Sequence, residues 1–273
     1  MKKKIRIDTA TVAVSLITLA ILVIALIVAV STANKKDSSK PNTPPSLTFP
    51  QISDVPQRDD ITVNFNESTL EDVYEKDGTE YIYSFISFPV IEGGCQEATE
   101  KINEAIRLFA NERVAIKQHE KENAEEAYKR AENEAMGFIQ FEFVTTTESV
   151  YVKNGYASIA FRRVRTVGLN DPSELITTMC FDLISGEEVD LSAFMNVGQD
   201  MAMSFILDIF AQHIRINPNV YYNDALDTLP DVVDLKSFYL TADGVVLYFN
   251  PNVITPSVNG VQRFTVPFDK IGY

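Results

Sequence analysis

From Thr11 to Val30 the chain is apolar and uncharged; from Ile61 it alternates with period two; from Gln96 it repeats every three to four residues. The first pattern, TVAVSLITLAILVIALIVAV, is 20 residues long. At about 1.5 Å per residue it spans roughly 30 Å, the hydrocarbon thickness of a bilayer. The second pattern predicts strands at ITVNFNE (Ile61–Glu67) and TEYIYSFISFPVI (Thr79–Ile91), joined by the Asp77-Gly78 turn signal and closed by Gly93-Gly94. The third predicts one long helix, about Gln96 to Met136. Ile102, Ile106, Phe109, Ala110 and Ile116 form a stripe suited to packing on a sheet. Its second half is mostly Glu, Lys and Asn, with Ala124, Ala127, Tyr128, Ala131 and Ala135 as the inward candidates.

Gly137 is expected to stop that helix, and extended patterns then return. Phe138–Val152 and Tyr156–Val167 flank Asn154-Gly155, the strongest hairpin signal in the chain, and Glu174–Ile184 completes a meander. A shorter helix, about Gln199 to Ile214, places Met203, Ile206, Leu207 and Phe210 on one face. Lys236–Pro251 reads as a hairpin around Asp243-Gly244, and Arg263–Phe268 as a last strand. The resulting order, β-β-α-β-β-β-α-β-β-β, implies an α+β fold: an antiparallel sheet with a long helix and a second shorter helix, after one N-terminal transmembrane helix. Two related lobes sharing a sheet are one arrangement of that order.

Charge sharpens the partition. Lys2, Lys3, Lys4 and Arg6 precede the apolar run, which favours the N-terminus inside and the rest outside. A cleaved signal peptide is the competing reading, with Ser31 and Ala33 at the small-residue positions of a signal-peptidase site. The length of the apolar core favours an uncleaved anchor. Asn34–Gln57 holds five prolines and reads as an extended tether. The organisation expected is therefore a cytoplasmic tail (1–10), an anchor (11–33), a linker (34–57) and an ectodomain with lobes at 58–150 and 151–273. From Arg58 onward there are 17 Lys and Arg against 35 Asp and Glu, a formal charge of −18. Such a body repels phosphate backbones and attracts basic proteins, so nucleic acid is excluded as a partner.

Candidate chemistry changes this picture little. Cys95 and Cys180 could pair in an extracytoplasmic compartment, or remain two small buried thiols. His119 and His213, both expected to be solvated, provide no zinc ligand set. Asp224, Asp227, Asp231 and Asp234 read as an acidic loop without the spacing of a calcium site. Arg162, Arg163 and Arg165 are the one basic cluster of the body. Regular strand geometry sends Arg162 and Arg163 to opposite faces, leaving one to pair with local acids or to meet a ligand carboxylate. No nucleophile elbow, phosphate loop or dinucleotide fingerprint is present, and no cofactor is implied.

The C-terminal stretch SFYLTADGVVLYFNPNVITPSVNGVQRFTVPFDKI resembles the C-terminal part of the ectodomain of RsiV-type anti-sigma factors, which sense lysozyme at the Gram-positive cell surface. Similar domains precede some peptidoglycan deacetylases. The resemblance rests on Phe238, Tyr239, Tyr248, Phe249, Asn250-Pro251, Pro256, Gly260 and Val266-Pro267-Phe268. It extends upstream to FISFPVIEGG with EKINEAIRLF, and to FDLISGEEVDLSAF, a strand, turn and short helix. It implies binding instead of catalysis, with Tyr248, Phe249, Pro251, Pro256 and Gly260 as ligand-binding candidates and lysozyme, another basic protein or peptidoglycan as partner. The sensing members carry several dozen cytoplasmic residues for a sigma factor, where this chain has Met1–Ala10, so no sigma binding is expected. The alternatives are an accessory protein to a wall-modifying enzyme and, more weakly, a wall hydrolase using paired carboxylates.

Overall fold

The computed structural model describes residues 61–271. The expected membrane span, the Ser31–Ala33 cleavage site and the linker lie outside the described residues. Among the described residues no helix is long and apolar enough to cross a membrane.

Strands β1 (Val63–Lys76) and β2 (Thr79–Gly93) form an antiparallel hairpin. Asp77 and Gly78 turn it with φ of 53° and 77°, the positive values that match the twist of the flanking strands. β1 runs well beyond the alternation at Ile61–Glu67 because its ladder with β2 continues to Lys76 opposite Thr79, and it forms a sheet edge. Its exposed Glu67, Glu71, Asp72 and Glu75 guard that edge against further pairing.

The long helix is two helices. α1 (Gln96–Val114) buries Ala98, Ile102, Ile106, Ala110 and Val114, one residue per turn, against the sheet. Each fully buried isoleucine there contributes about 2 kcal/mol. α2 (Gln118–Asn133) then starts afresh. At the break, Ala115 and Lys117 are extended, the Ile116 N–H donates to Asp72 Oδ2 at 3.0 Å, and the Lys117 N–H donates to Glu120 Oε2 at 2.9 Å. A carboxylate from β1 and an N-terminal cap thus take the amides that a continuous helix would use. α2 ends before Gly137, with Ala135 at φ 52°.

The crossover returns the chain to β3 (Phe141–Lys153), which pairs with β2 in parallel over Ile82–Ile86 and Phe141–Thr145. β4 (Tyr156–Thr166) and β5 (Ser173–Asp182) then add antiparallel. The five-stranded sheet, ordered β1-β2-β3-β4-β5, is therefore mixed, not antiparallel throughout. A parallel pair needs a long crossover, and the α1–α2 pair supplies it. The division at 150/151 falls inside β3.

After the short helix α3 (Leu191–Met195), α4 (Gln199–Ile216) and α5 (Ala225–Val232), a separate three-stranded sheet forms. It comprises β6 (Phe238–Leu240), β7 (Gly244–Phe249) and β8 (Gln262–Pro267). The acidic stretch from Asp224 to Asp234 is thus largely α5, anchored by buried Ala225 and Leu229. Instead of sharing one sheet, the two parts of the chain stack two sheets face to face. On β4, Ala157, Ile159 and Phe161 meet α1, while Ala160 packs with Ile176 against Tyr239, Val246 and Tyr248 of the second sheet. The far side of that sheet, Val245, Leu247 and Phe249, packs on α4 through Phe205, Ile206, Ile209 and Phe210. The layers run helix, sheet, sheet, helix. β4 and β7 are covered on both faces, which is why YASIAF and GVVLYF are apolar runs without alternation. Gly244 is held to glycine by its pairing with β8: a Cβ would fall 2.1 Å from the Val266 carbonyl oxygen.

Candidate functional site

β7 and its connection to β8 carry the residues that the family resemblance marks for ligand binding, and the structure divides them. Tyr248 and Phe249 are core residues. The Tyr248 hydroxyl lies 3.2 Å from Thr178 Oγ1 between the sheets, and Phe249 meets the Phe210 ring edge-on at 4.4 Å. Neither reaches a surface ligand. Pro251, Pro256 and Gly260 are half-buried and shape the loop: Pro256 opens a 3-10 turn at Ser257–Asn259, and Gly260 leaves it at φ 65°.

That loop is pinned to the segment before α5. Thr255 Oγ1 donates to the Val220 carbonyl at 2.6 Å, Asn259 Nδ2 donates to the same oxygen at 2.7 Å, and the Tyr222 N–H donates to the Ile254 carbonyl at 3.0 Å. Ile254 and Thr255 are fully buried. The outward side chains are therefore Val253, Val258, Tyr222 and Leu226, and Val258 is 87% exposed. Exposed Asp224 and Asp227 stand among them. The loop presents apolar contact groups beside carboxylates. The sequence carried one signal of this: valines within the Pro-, Asn- and Gly-rich stretch NPNVITPSVNG, where no helical or strand period needs them.

His213 is half-buried instead of fully solvated. Its Nδ1 is 2.8 Å from the Tyr221 hydroxyl and its ring packs on Phe264 at 4.3 Å. Burial lowers its pKa from the ordinary 6.5 and pushes the Tyr221 phenol up to about 12. His119 is exposed. Among the described residues no group of three His, Cys, Asp or Glu could hold a metal ion.

A cavity of about 460 Å³ opens between α2, the connection to β3 and the ends of β3 and β4. Phe138, Phe141 and Phe143 line it together with Glu126, Arg130 and Arg165. The basic cluster of β4 divides as strand geometry requires. Arg162 points away and pairs with Glu174 at 2.8 Å, which also holds Arg263 of β8 at 2.8 Å. Burial alone would raise the Glu174 pKa, but hydrogen bonds from the two guanidinium groups bring it below the ordinary carboxylate value. Arg163 and Arg165 take the opposite face, over the Phe143 ring at 5.5 and 4.7 Å.

The two cysteines are free. Cys95 is exposed at the N-cap of α1, whereas Cys180 is buried in β5, where desolvation pushes its thiol pKa far up. They do not form the bridge left open by the sequence, and only Cys180 is the buried thiol of the other reading.

Residues 196–269, which carry α4, the pinned loop and the second sheet, match a family described as a protein of unknown function, DUF3298. The structure is similar to a crystal structure of a DUF3298 family member from Bacteroides fragilis, with a TM-score of 0.56 and 15% identity over 78% of this chain and 93% of that one. A DUF3298 family protein from Pseudomonas aeruginosa aligns with a TM-score of 0.46 and 12% identity over 78% of this chain and 94% of that one. No curated protein matches the chain in sequence. The Bacteroides likeness is one of fold.

Proposed function

We propose that this chain is a binding protein of the cell envelope, held in the membrane by Thr11–Val30 with its body outside, which captures a basic protein such as lysozyme or a component of the wall. The observation that carries this reading is the pinned loop, where Val258, Val253, Tyr222 and Leu226 are displayed beside Asp224 and Asp227. Apolar groups held by a rigid backbone supply contact area at little entropic cost. The carboxylates around them, in a body of 17 basic and 35 acidic residues from Arg58 onward, draw a cationic partner in and set its orientation. The RsiV-type resemblance supports the same class of partner.

The test is calorimetric titration of the purified full chain with lysozyme at low and at moderate salt. Binding that weakens as salt screens the approach is the expected result, since the screening length is about 8 Å at physiological ionic strength. No heat of binding at either salt removes the lysozyme assignment.

A further inference from the structure

Arg163 and Arg165 occupy positions where the β4 pattern calls for apolar side chains, continuing the stripe of Ala157, Ile159 and Phe161 toward the α1–α2 junction. Both guanidinium groups lie over one ring, Phe143. Arg113, from the last turn of α1, adds a third positive charge close enough to act on Arg163. The acid that faces them is Glu120, 3.6 Å from Arg165, and its carboxylate already accepts the Lys117 amide. The Nε atoms of Arg113, Arg163 and Arg165 are buried and have no hydrogen-bond partner among the described residues.

A body with twice as many acids as bases could have neutralised this cluster many times over. Leaving guanidinium N–H groups buried and unpaired is costly unless something else receives them. Burial and the two neighbouring arginines lower the Arg163 pKa, and the single carboxylate of Glu120 only partly offsets them. The cavity that Arg165 and Phe143 line is of small-molecule size, with Phe138 and Phe141 as apolar surface.

We propose that this cavity binds a small carboxylate with an apolar body. The Arg165 guanidinium, backed by Arg163 and Arg113, receives the carboxylate, and the body lies on Phe138 and Phe141. A guanidinium fork matches the two oxygens of a carboxylate. Glu120, Glu126 and Glu134 share the cavity wall with Arg130 and Arg165, and this excess of carboxylates disfavours a doubly charged phosphate while tolerating a ligand whose far end is neutral or cationic. This site is separate from the pinned loop and does not depend on the basic-partner reading.

The experiment is calorimetric titration of the full chain with three probes: N-acetylphenylalanine, its uncharged amide, and inorganic phosphate. The carboxylate is expected to bind saturably at millimolar concentration or below, with the amide and phosphate at least about tenfold weaker. Arg165→Met is expected to weaken the carboxylate at least about tenfold while its melting temperature holds or rises, because a crowded charge is removed. Arg162→Met, on the opposite face, should bind as the parent does. If Arg165→Met fails to fold, Arg165→Lys keeps the charge but loses the fork, and the same weakening is expected. Absence of saturable heat with N-acetylphenylalanine overturns the proposal. So does equal binding of the amide or phosphate, or unchanged binding by the Arg165 variants.

Discussion

Asn250 closes both backbone hydrogen bonds of Ile176, accepting from its N–H at 2.7 Å through Oδ1 and donating to its carbonyl at 2.9 Å through Nδ2. Asn103 does the same for Ile91, at 2.8 Å in both directions. Each side-chain amide stands in for a missing neighbouring strand, Asn250 on the outer edge of β5 and Asn103 where β3 no longer accompanies β2. Asn103 lies in the INEAI segment and Asn250 in the Asn-Pro pair, so two features of the family resemblance are fasteners of the fold. Asn250→Ala or Asn103→Ala is expected to cost about 2 kcal/mol, read as a shift in urea midpoint, because two backbone groups lose their partners. The double variant should cost the sum within about 0.5 kcal/mol, since the sites share no contact.

Gly186 sets a stricter limit. It turns the chain after β5 at φ 75°, and a Cβ there would lie 2.7 Å from the Ala98 carbonyl oxygen and 2.8 Å from Ala98 Cα. Both atoms belong to α1 backbone and cannot swing aside. Gly186→Ala is expected to destabilise by more than about 3 kcal/mol, measured by thermal or urea unfolding. An alanine variant as stable as the parent would disprove this close approach.

The thiols differ in access. Native protein treated with a maleimide should take up one label, at Cys95, and denatured protein two, as read by intact mass. Zero native labels with recovery only after reduction would mean that the two cysteines are bridged.

Strong acid should loosen a tie between the two sheets, the Glu174 bridge from Arg162 to Arg263. Glu174 has a depressed folded pKa, so its contribution is complete above the unfolded carboxylate value of about 4.3 and is lost as pH falls through the lower folded value. Glu174→Gln is expected to flatten that limb of a stability profile measured by urea midpoint against pH. His213 acts in a higher window: its folded pKa lies below 6.5, so its contribution is present above that pH and declines as pH drops toward the folded value.

Val258 is the cleanest probe of the loop. At 87% exposure, Val258→Asp should leave unfolding within about 0.5 kcal/mol of the parent. Titration with lysozyme should nevertheless be weakened, since a charge replaces an apolar contact. Unchanged affinity would move the interface elsewhere.

What the sequence shows depends on how local the cause is. Asn154-Gly155 was legible because the turn needs positive φ at both residues, φ of 51° and 76°, and that need is met within two positions. The α1–α2 break was not legible. Ala115, Ile116 and Lys117 contain neither glycine nor proline, and the carboxylate that captures the Ile116 amide comes from Asp72, 44 positions earlier. The parallel register of β2 with β3 was hidden for a related reason, because period-two alternation is the same for either strand direction. In the candidate sites, the family resemblance marks Tyr248 and Phe249 for ligand contact, yet the first sheet covers Tyr248 and α4 covers Phe249. The meeting of Arg113 with Arg163 depends on how α1 lies across β4, which no spacing within either element reports.

The parallel seam also has a consequence for the order of assembly. The ribbon of β3, β4 and β5 pairs neighbours in the chain, whereas Ile82–Ile86 must find Phe141–Thr145 across two intervening helices. Closing that long loop is entropically slow, so the first hairpin should dock after the later ribbon has formed. Until it does, Phe141 to Thr145 offers a bare apolar edge to any other nascent copy. Crowded synthesis, more than heat, is the condition under which this protein is most exposed to mispairing.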